Sequence, residues 1–131
     1  MASAPLAATV SSFSAAVASL PASGFIVFTS GEEGGQAWCP DCRKAVPAIV
    51  DAAAAAGVPL LVVDVGSRAS WKSPAHPFRG PPLHLTCIPS LLRWDKEAGA
   101  PAEKRLSNEL EDAPDKAAVA TLASAFFASV S

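Results

Sequence analysis

Cys39 and Cys42, separated by two residues in the segment Trp38-Cys39-Pro40-Asp41-Cys42, are the side chains of this sequence best placed to carry chemistry. Thiols at this spacing either exchange with disulfides or form half of a metal site. Exchange requires the thiolate, and a free cysteine, with a pKa of about 8.5, is mostly protonated at neutral pH. A helix N-terminus shifts that balance, because its unpaired N–H groups and partial positive charge favour the anion. Cys39 at such a cap is expected to be exposed, its sulfur toward the amides of Asp41 and Cys42. Cys42, in the first turn, lies beneath it within reach for a disulfide. In that geometry Cys39 attacks a substrate disulfide and Cys42 resolves the mixed disulfide. Trp38 is expected to shelter one side of the sulfur pair. Asp41 favours the helix start but opposes a thiolate beside it, so the Cys39 pKa is expected below the free value without being extremely low.

The metal alternative, a zinc site, needs two more ligands, for which His76, His84 and Cys87 are available. Their separations, seven and then two intervening residues, do not follow the usual second-half patterns. Pro-Asp between the first two cysteines is also foreign to a zinc knuckle, so the redox reading is preferred and no metal is expected. Both histidines are read as surface loop residues. With three cysteines in all, the chain is not a disulfide-stapled secreted scaffold.

The dithiol needs a strand to deliver it and a helix to receive it. Phe25-Ile26-Val27-Phe28 reads as a buried strand, followed by a flexible polar loop from Thr29 to Ala37. Pro40 suits the first turn of a helix that runs to about Ala56. Val46, Ile49, Val50 and Ala53 form its apolar face, Pro47 is expected to kink it and Gly57 to end it. Upstream, Ala7 to Val10 is a short apolar run. Ser11 or Ser12 then caps a helix carrying Phe13, Val17 and Leu20 on one face, closed by Pro21 and Gly24. Leu60 to Val65 suits a parallel strand covered on both faces. Residues 66–82 read as a proline-rich polar loop, Ser90 to Trp94 as a strand, and Lys104 to Leu110 as a weaker one. Pro114 to Val130 reads as a helix with Val119, Leu122, Phe126 and Val130 in a stripe and Asp112 and Asp115 near its start. This order predicts an α/β fold with helices on both sides of a mixed sheet.

Composition fits one such unit. Of 131 residues, 28 are alanine and 38 are other apolar types. Alanine adds helix propensity but little burial, so those 38 must build the core, enough for a single domain spanning 1–131. The longest apolar stretch, Ala45 to Val65, is broken by Pro47, Asp51, Gly57, Pro59 and Asp64, so no membrane span is expected. A net charge of −2 gives no reason to expect nucleic acid. Mean hydropathy of +0.31 and 17% charged residues argue against disorder. The charge-free start, residues 1–31, lacks the basic residues of a signal or transit peptide, and is read as the first strand and helix of the fold.

Three segments together resemble the thioredoxin-related Clot family, thioredoxin domain-containing proteins with a Trp-Cys-Pro-Asp-Cys active site. They are Trp38 to Cys42, then Gly66-Ser67-Arg68 with Trp71-Lys72-Ser73-Pro74 and Pro77-Phe78-Arg79, and finally Leu85-Thr86-Cys87-Ile88-Pro89-Ser90-Leu91-Leu92. Pro74-Ala75-His76-Pro77 and Arg93-Trp94-Asp95 have the flavour of plant members, and the likeness runs from about Thr9 to the last helix. The resemblance implies a thioredoxin-like fold, a central mixed β-sheet flanked by helices on both faces. It implies a cytosolic, monomeric disulfide reductase without a cofactor, acting on small disulfides such as cystine and on selected proteins. Electrons would come from a thioredoxin-reductase or glutathione type of donor. Cys39 maps to the nucleophile, Cys42 to the resolving cysteine and Pro89 to the cis-proline. The Ile88 backbone would pair with substrate, and Trp38, Pro40 and Asp41 would tune the site.

Two features depart from the family pattern. The strand before the dithiol lacks the buried Asp that assists proton transfer in thioredoxins. Cys87, two residues before Pro89, stands where a small residue is usual, and is read as a buried, inert thiol. Between Val65 and Trp94 there is no acidic residue, while Arg68, Lys72, Arg79 and Arg93 are positive. If this segment borders Cys39, Arg68, Lys72 and Arg79 steer anionic substrates. Two other functions remain alongside the reductase: a glutaredoxin-like enzyme reduced by glutathione alone, and a redox-switched interaction module without catalysis.

Overall fold

A computed structural model describes residues 6–20 and 23–129. A five-stranded mixed sheet has the order β1-β5-β2-β6-β7, formed by Leu6–Thr9 (β1), Gly24–Thr29 (β2), Leu60–Asp64 (β5), Ser90–Asp95 (β6) and Ala100–Leu106 (β7). β1 and β2 lie parallel to β5, whereas β6 runs antiparallel to both β2 and β7. The central β2 is buried on both faces, as its unbroken apolar run requires. Its side chains alternate: Ile26 and Phe28 enter one core cluster, Phe25 and Val27 the other.

Helices cover both faces. On one, α1 (Phe13–Ala18) and α3 (Arg68–Lys72) bring Phe13, Val17 and Trp71 to the cluster of Ile26, Phe28 and Trp94. On the other, α2 (Pro40–Ala56) packs against α5 (Lys116–Ser129), with α4 (Asn108–Asp112) contributing Leu110. Alanine does more here than composition implies. Ala45, Ala48, Ala52, Ala53 and Ala123 are all buried, because two helices approach closely only over small side chains. Phe25 then fills the space beneath, its ring centroid 4.7 Å from that of Phe127. No described helix is long and apolar enough to cross a membrane.

Several segments differ from the sequence expectations. The loop after β2 contains a small hairpin, Glu32–Glu33 (β3) paired with Gln36–Ala37 (β4), turned by Gly34 and Gly35 with positive φ. Residues 66–82 hold α3 and a 3-10 turn, Pro77–Arg79, whose Trp71 and Phe78 are core residues. β7 starts earlier than expected and stops at Leu106, since Ala100-Pro101-Ala102 carries no β-branched signal and Leu110 belongs to α4. Ser12 precedes α1, but its hydroxyl accepts from the Thr9 amide at 2.9 Å instead of capping the helix. α5 begins at Lys116 with the Asp115 carboxylate accepting from the Ala118 amide. α2 continues through Pro47 as one element and ends at Gly57 in the left-handed region (φ 69°). Pro21 and Val130 lie outside the described residues.

Candidate active site

The end of β2, the β3–β4 hairpin, the start of α2, the Val65–Arg68 turn and the entry to β6 converge on Cys39. Cys39 is the N-cap of α2 in extended conformation (φ −95°, ψ 115°), Pro40 opens the helix and Asp41 lies in its first turn. Proline loses nothing there, because the first helical amides lack intrahelical partners. Cys39 and Cys42 are both free cysteines. Cys39 is 9% exposed and Cys42 1%, so the expected exposed nucleophile is instead recessed, reachable over a small window. The reason lies in the neighbours: Trp38 on one side and the Ile88–Pro89 segment on the other close over the sulfur. Cys39 Sγ is 3.9 Å from the Ile88 carbonyl oxygen, and the Ile88–Pro89 bond is cis, as the resemblance implies for Pro89.

The two thiols differ sharply in acidity. The Cys39 pKa is lowered to about 6, chiefly by a hydrogen bond from the Cys42 thiol. Burial opposes this, the amides of Cys42 and Asp41 add to it, and the Asp41 carboxylate works against it. Cys42 is pushed up by the same hydrogen bond and by burial, and only the Ser30 amide and Thr29 hydroxyl favour its anion. A single proton therefore resides on the inner sulfur while the outer one carries the charge. The Cys39 amide donates to the hydroxyl of buried Ser30 at 3.3 Å, which fixes the cap from behind.

Trp38 is held at both ends. Its indole Nε1–H donates to the Gly66 carbonyl at 2.9 Å, and its amide to Gly31 O at 3.1 Å. The same Gly66 oxygen accepts from the Gly31 amide at 3.0 Å. A Cβ on Gly31 would stand 2.7 Å from that oxygen, so this crossing requires glycine. Arg68 Nη2 donates to the Trp38 carbonyl at 3.0 Å, and its guanidinium lies 5.1 Å from the centre of the Trp38 ring. The Arg68 amide donates to Glu33 at 3.2 Å, tying the hairpin into the same wall. Arg43 Nη1 donates to the Ala37 carbonyl at 2.5 Å, one residue away.

Of the three residues expected to steer anions, Arg68 borders the site. Lys72 is exposed on α3. Arg79 is engaged elsewhere: its Nε donates to the Trp71 carbonyl at 2.9 Å and its guanidinium lies 4.1 Å from the Trp71 ring centre. His76, read as a surface residue, is buried. Its Nε2 bonds the Val65 carbonyl at 2.8 Å and its Nδ1 accepts from the Phe78 amide at 3.1 Å, which sets the Nε2–H tautomer. Both nitrogens are thus committed to the backbone; His84 is exposed. Among the described residues no three His, Cys, Asp or Glu side chains gather around a common point. Cys87 is half-buried instead of buried, with Sγ 3.6 Å from Asn108 Oδ1. Burial and the Glu111 carboxylate push its pKa up, keeping it a thiol.

Ser30, Arg43 and Gly31 are not singled out as site residues by sequence, and Gly66 enters only within a segment that carries the resemblance. Only the glycines left a signal, as isolated residues in polar loops; Ser30 and Arg43 act through contacts that the fold alone creates.

Comparison with known proteins agrees with this geometry. The rice (Oryza sativa subsp. japonica) thioredoxin-like protein Clot is 44% identical over 72 residues, 50% of this chain and 52% of that protein. The Arabidopsis thaliana protein of the same name is 38% identical over 79 residues, 56% of this chain and 59% of that one. Human thioredoxin domain-containing protein 17 is 34% identical over 73 residues, 53% of this chain and 58% of its own length. The chain thus spans little more than half the length of the curated relatives it matches. The crystal structure of a Malassezia sympodialis thioredoxin superposes with a TM-score of 0.51 at 13% identity, covering 94% of this chain and 95% of that one, which supports the thioredoxin fold alone. The profile of the thioredoxin domain of thioredoxin domain-containing protein 17-like proteins matches residues 12–114, and the chain belongs to that family.

Proposed function

We propose that this protein is a dithiol–disulfide oxidoreductase working as a reductase, with Cys39 as nucleophile and Cys42 as resolving thiol. The observation that carries the reading is the division of labour between the sulfurs: a Cys39 held near pKa 6 by a proton that stays on Cys42. The Cys39 thiolate attacks one sulfur of a substrate disulfide, forming a mixed disulfide and releasing the first substrate thiolate. Cys42 then gives up its proton, attacks Cys39 Sγ and expels the second thiolate. Two electrons pass to the substrate, and the protein is left with a Cys39–Cys42 disulfide. Two protons, one of them from Cys42, complete the substrate thiols. In place of a buried carboxylate, Cys42 faces the Thr29 hydroxyl and the Ser30 amide.

Substrate recognition follows from the walls. The Ile88 carbonyl offers an acceptor to an extended substrate backbone beside the sulfur, with Pro89 setting its direction. Trp38 and the hairpin exclude broad protein surfaces, which favours small disulfides such as cystine and selected protein segments. Arg68 at the rim, with Lys72 beyond it, favours anionic substrates. The setting is a reducing compartment such as the cytoplasm, where a donor of the thioredoxin-reductase or glutathione type reopens the disulfide.

The test is reduction of cystine coupled to each donor, with a Cys42→Ser variant used to trap partners. The expected result is turnover with at least one donor and a mixed disulfide at Cys39. No turnover with either donor and no trapped species would refute the reductase and leave an interaction module. Turnover with glutathione alone would identify the glutaredoxin-like form.

A further inference from the structure

A cavity away from the dithiol lies between α1, the segment around the 3-10 turn, and the β6–β7 turn. It measures about 550 Å³, within the range of roughly 300–1,000 Å³ typical of small-molecule sites. Its walls come from three sequence-distant segments, so it is a pocket and not a groove along one element. Phe13, Val17, Phe78, Leu83 and Trp94 are among its apolar lining residues. The aromatic base is firmly set: Phe13 meets Phe78 and Trp94 edge-on, with centroids 5.1 and 5.7 Å apart.

Lys96 is the charged residue of the lining, which contains no carboxylate. Its backbone is fixed by a turn in which the Lys96 amide donates to Ser23 Oγ at 2.9 Å and the Gly99 amide to Asp95 O at 2.9 Å. Oδ1 of the neighbouring Asp95 accepts from the amides of Glu97 and Ala98. Lys96 Nζ donates to the Ala18 carbonyl at 3.3 Å, which uses one of its three donors. It takes no part in the one ion pair found among the described residues, Lys44 with Asp41.

We infer that this pocket binds a small amphipathic carboxylate, its apolar body against the Phe13, Phe78 and Trp94 rings and its carboxylate on Lys96. Lys96 is exposed at the rim, so a carboxylate there gains a counter-ion that a neutral ligand lacks, and a cation would meet a like charge. The proposal does not depend on the dithiol chemistry.

The test uses octanoate and its neutral counterpart octanamide, titrated into the full reduced chain and followed by the NMR signals of the Trp94 indole and the Lys96 amide. Saturable octanoate binding is expected at these signals, with the Trp38 indole unmoved. Lys96→Met is expected to weaken octanoate about fivefold, the worth of a partly exposed ion pair, while octanamide changes less than about twofold. Ala18→Trp, placed at the exposed lip of α1, is expected to block both. Binding by the double variant Cys39→Ser, Cys42→Ser is expected to match the parent, so failure of the reductase reading leaves this one standing. No saturable shift at Trp94, equal weakening of both ligands by Lys96→Met, or undiminished binding by Ala18→Trp would overturn it.

Discussion

Replacing Cys42 by alanine removes the donor that does most to hold Cys39 in its anionic form. At a pKa of about 6, Cys39 is about nine-tenths thiolate at pH 7, whereas a thiol near 8.5 is about 3% ionised. In Cys42→Ala the backbone amides remain but burial is no longer outweighed, so the midpoint is expected to climb above 7. Cys42→Ser keeps a hydroxyl donor and is expected to climb less. Thiolate absorbance at 240 nm against pH measures this directly. Alkylation rate is a weaker gauge. A full return to 8.5 would cut the thiolate about thirtyfold, but the more basic anion is about tenfold more nucleophilic, leaving a net loss of about threefold at pH 7. Stability carries the same information. Because the folded pKa lies below that of the unfolded thiol, the stabilisation is complete above the unfolded value and is lost as pH falls through the folded one. Between about pH 6 and about pH 8 the reduced protein is therefore expected to gain up to about 1.4 kcal/mol of stability per unit rise in pH. Cys42, shifted upward, stays neutral in the folded protein but ionises in the unfolded chain at about pH 8.5, so above about pH 8 its opposing contribution cancels the gain. The slope is expected to flatten in Cys42→Ala. A Cys42→Ala midpoint that stays near 6, or a serine shift as large as the alanine shift, would refute the shared-proton account.

Three further outcomes can be checked on the same protein. Asp41→Asn is expected to lower the Cys39 midpoint by a fraction of a pKa unit, since that carboxylate is 39% exposed and sits 3.7 Å from Lys44; a rise in the titration would contradict its assigned sign. Gly31→Ala forces a methyl to within 2.7 Å of the Gly66 oxygen and 2.9 Å of the Asp64 carboxylate. It is expected to cost about 1–3 kcal/mol and to disturb the Trp38 environment, read as a lower urea midpoint with altered indole fluorescence; an unchanged midpoint would count against the crossing. Lys44→Met leaves the carbonyls of Glu111 and Ala113, now bonded at 3.0 and 2.7 Å, without their charged donor. A loss of about 1 kcal/mol is expected in thermal unfolding at this partly exposed site, and a stabilised variant would show that the staple contributes nothing.

The sequence made the framework readable where physical pattern is strongest. Phe25 to Phe28 is a continuous apolar run and Leu60 to Val65 one interrupted only by Asp64, and both became inner strands. Cys-Pro-Asp-Cys ahead of an alanine-rich stretch marked the start of α2, because proline and a first-turn carboxylate belong there. Legibility failed where long-range contact decides. His76 looks like a loop residue until Val65 O and the Phe78 amide are brought to its two nitrogens. Arg79 looks like a free charge until Trp71 lies beneath it. Cys39 looks exposed at a helix cap because nothing local announces that Ile88 and Pro89, distant in the chain, will close over the side that Trp38 leaves open. The weak strand near Lys104 failed for a different reason: alanine and proline gave no propensity signal for its first half, and register with β6 supplied the order instead.

Proline inside the dithiol helix has a mechanical consequence. Pro47 has no N–H, so the Arg43 carbonyl one turn earlier lacks its helical partner. The ladder of hydrogen bonds along α2 is thus missing one rung just past the cysteines, while Ile49, Ala52 and Ala53 clamp the remainder into the core. The two leading turns, Pro40 to Val46, are therefore joined to the rest of the helix by one backbone hydrogen bond fewer, while Ala45 and the Lys44 bonds to the Glu111 and Ala113 carbonyls hold them to the core. In the proposed cycle, the adjustment of Cys42 as its sulfur changes partners is expected to be taken up around this missing rung more readily than by the sheet or α5.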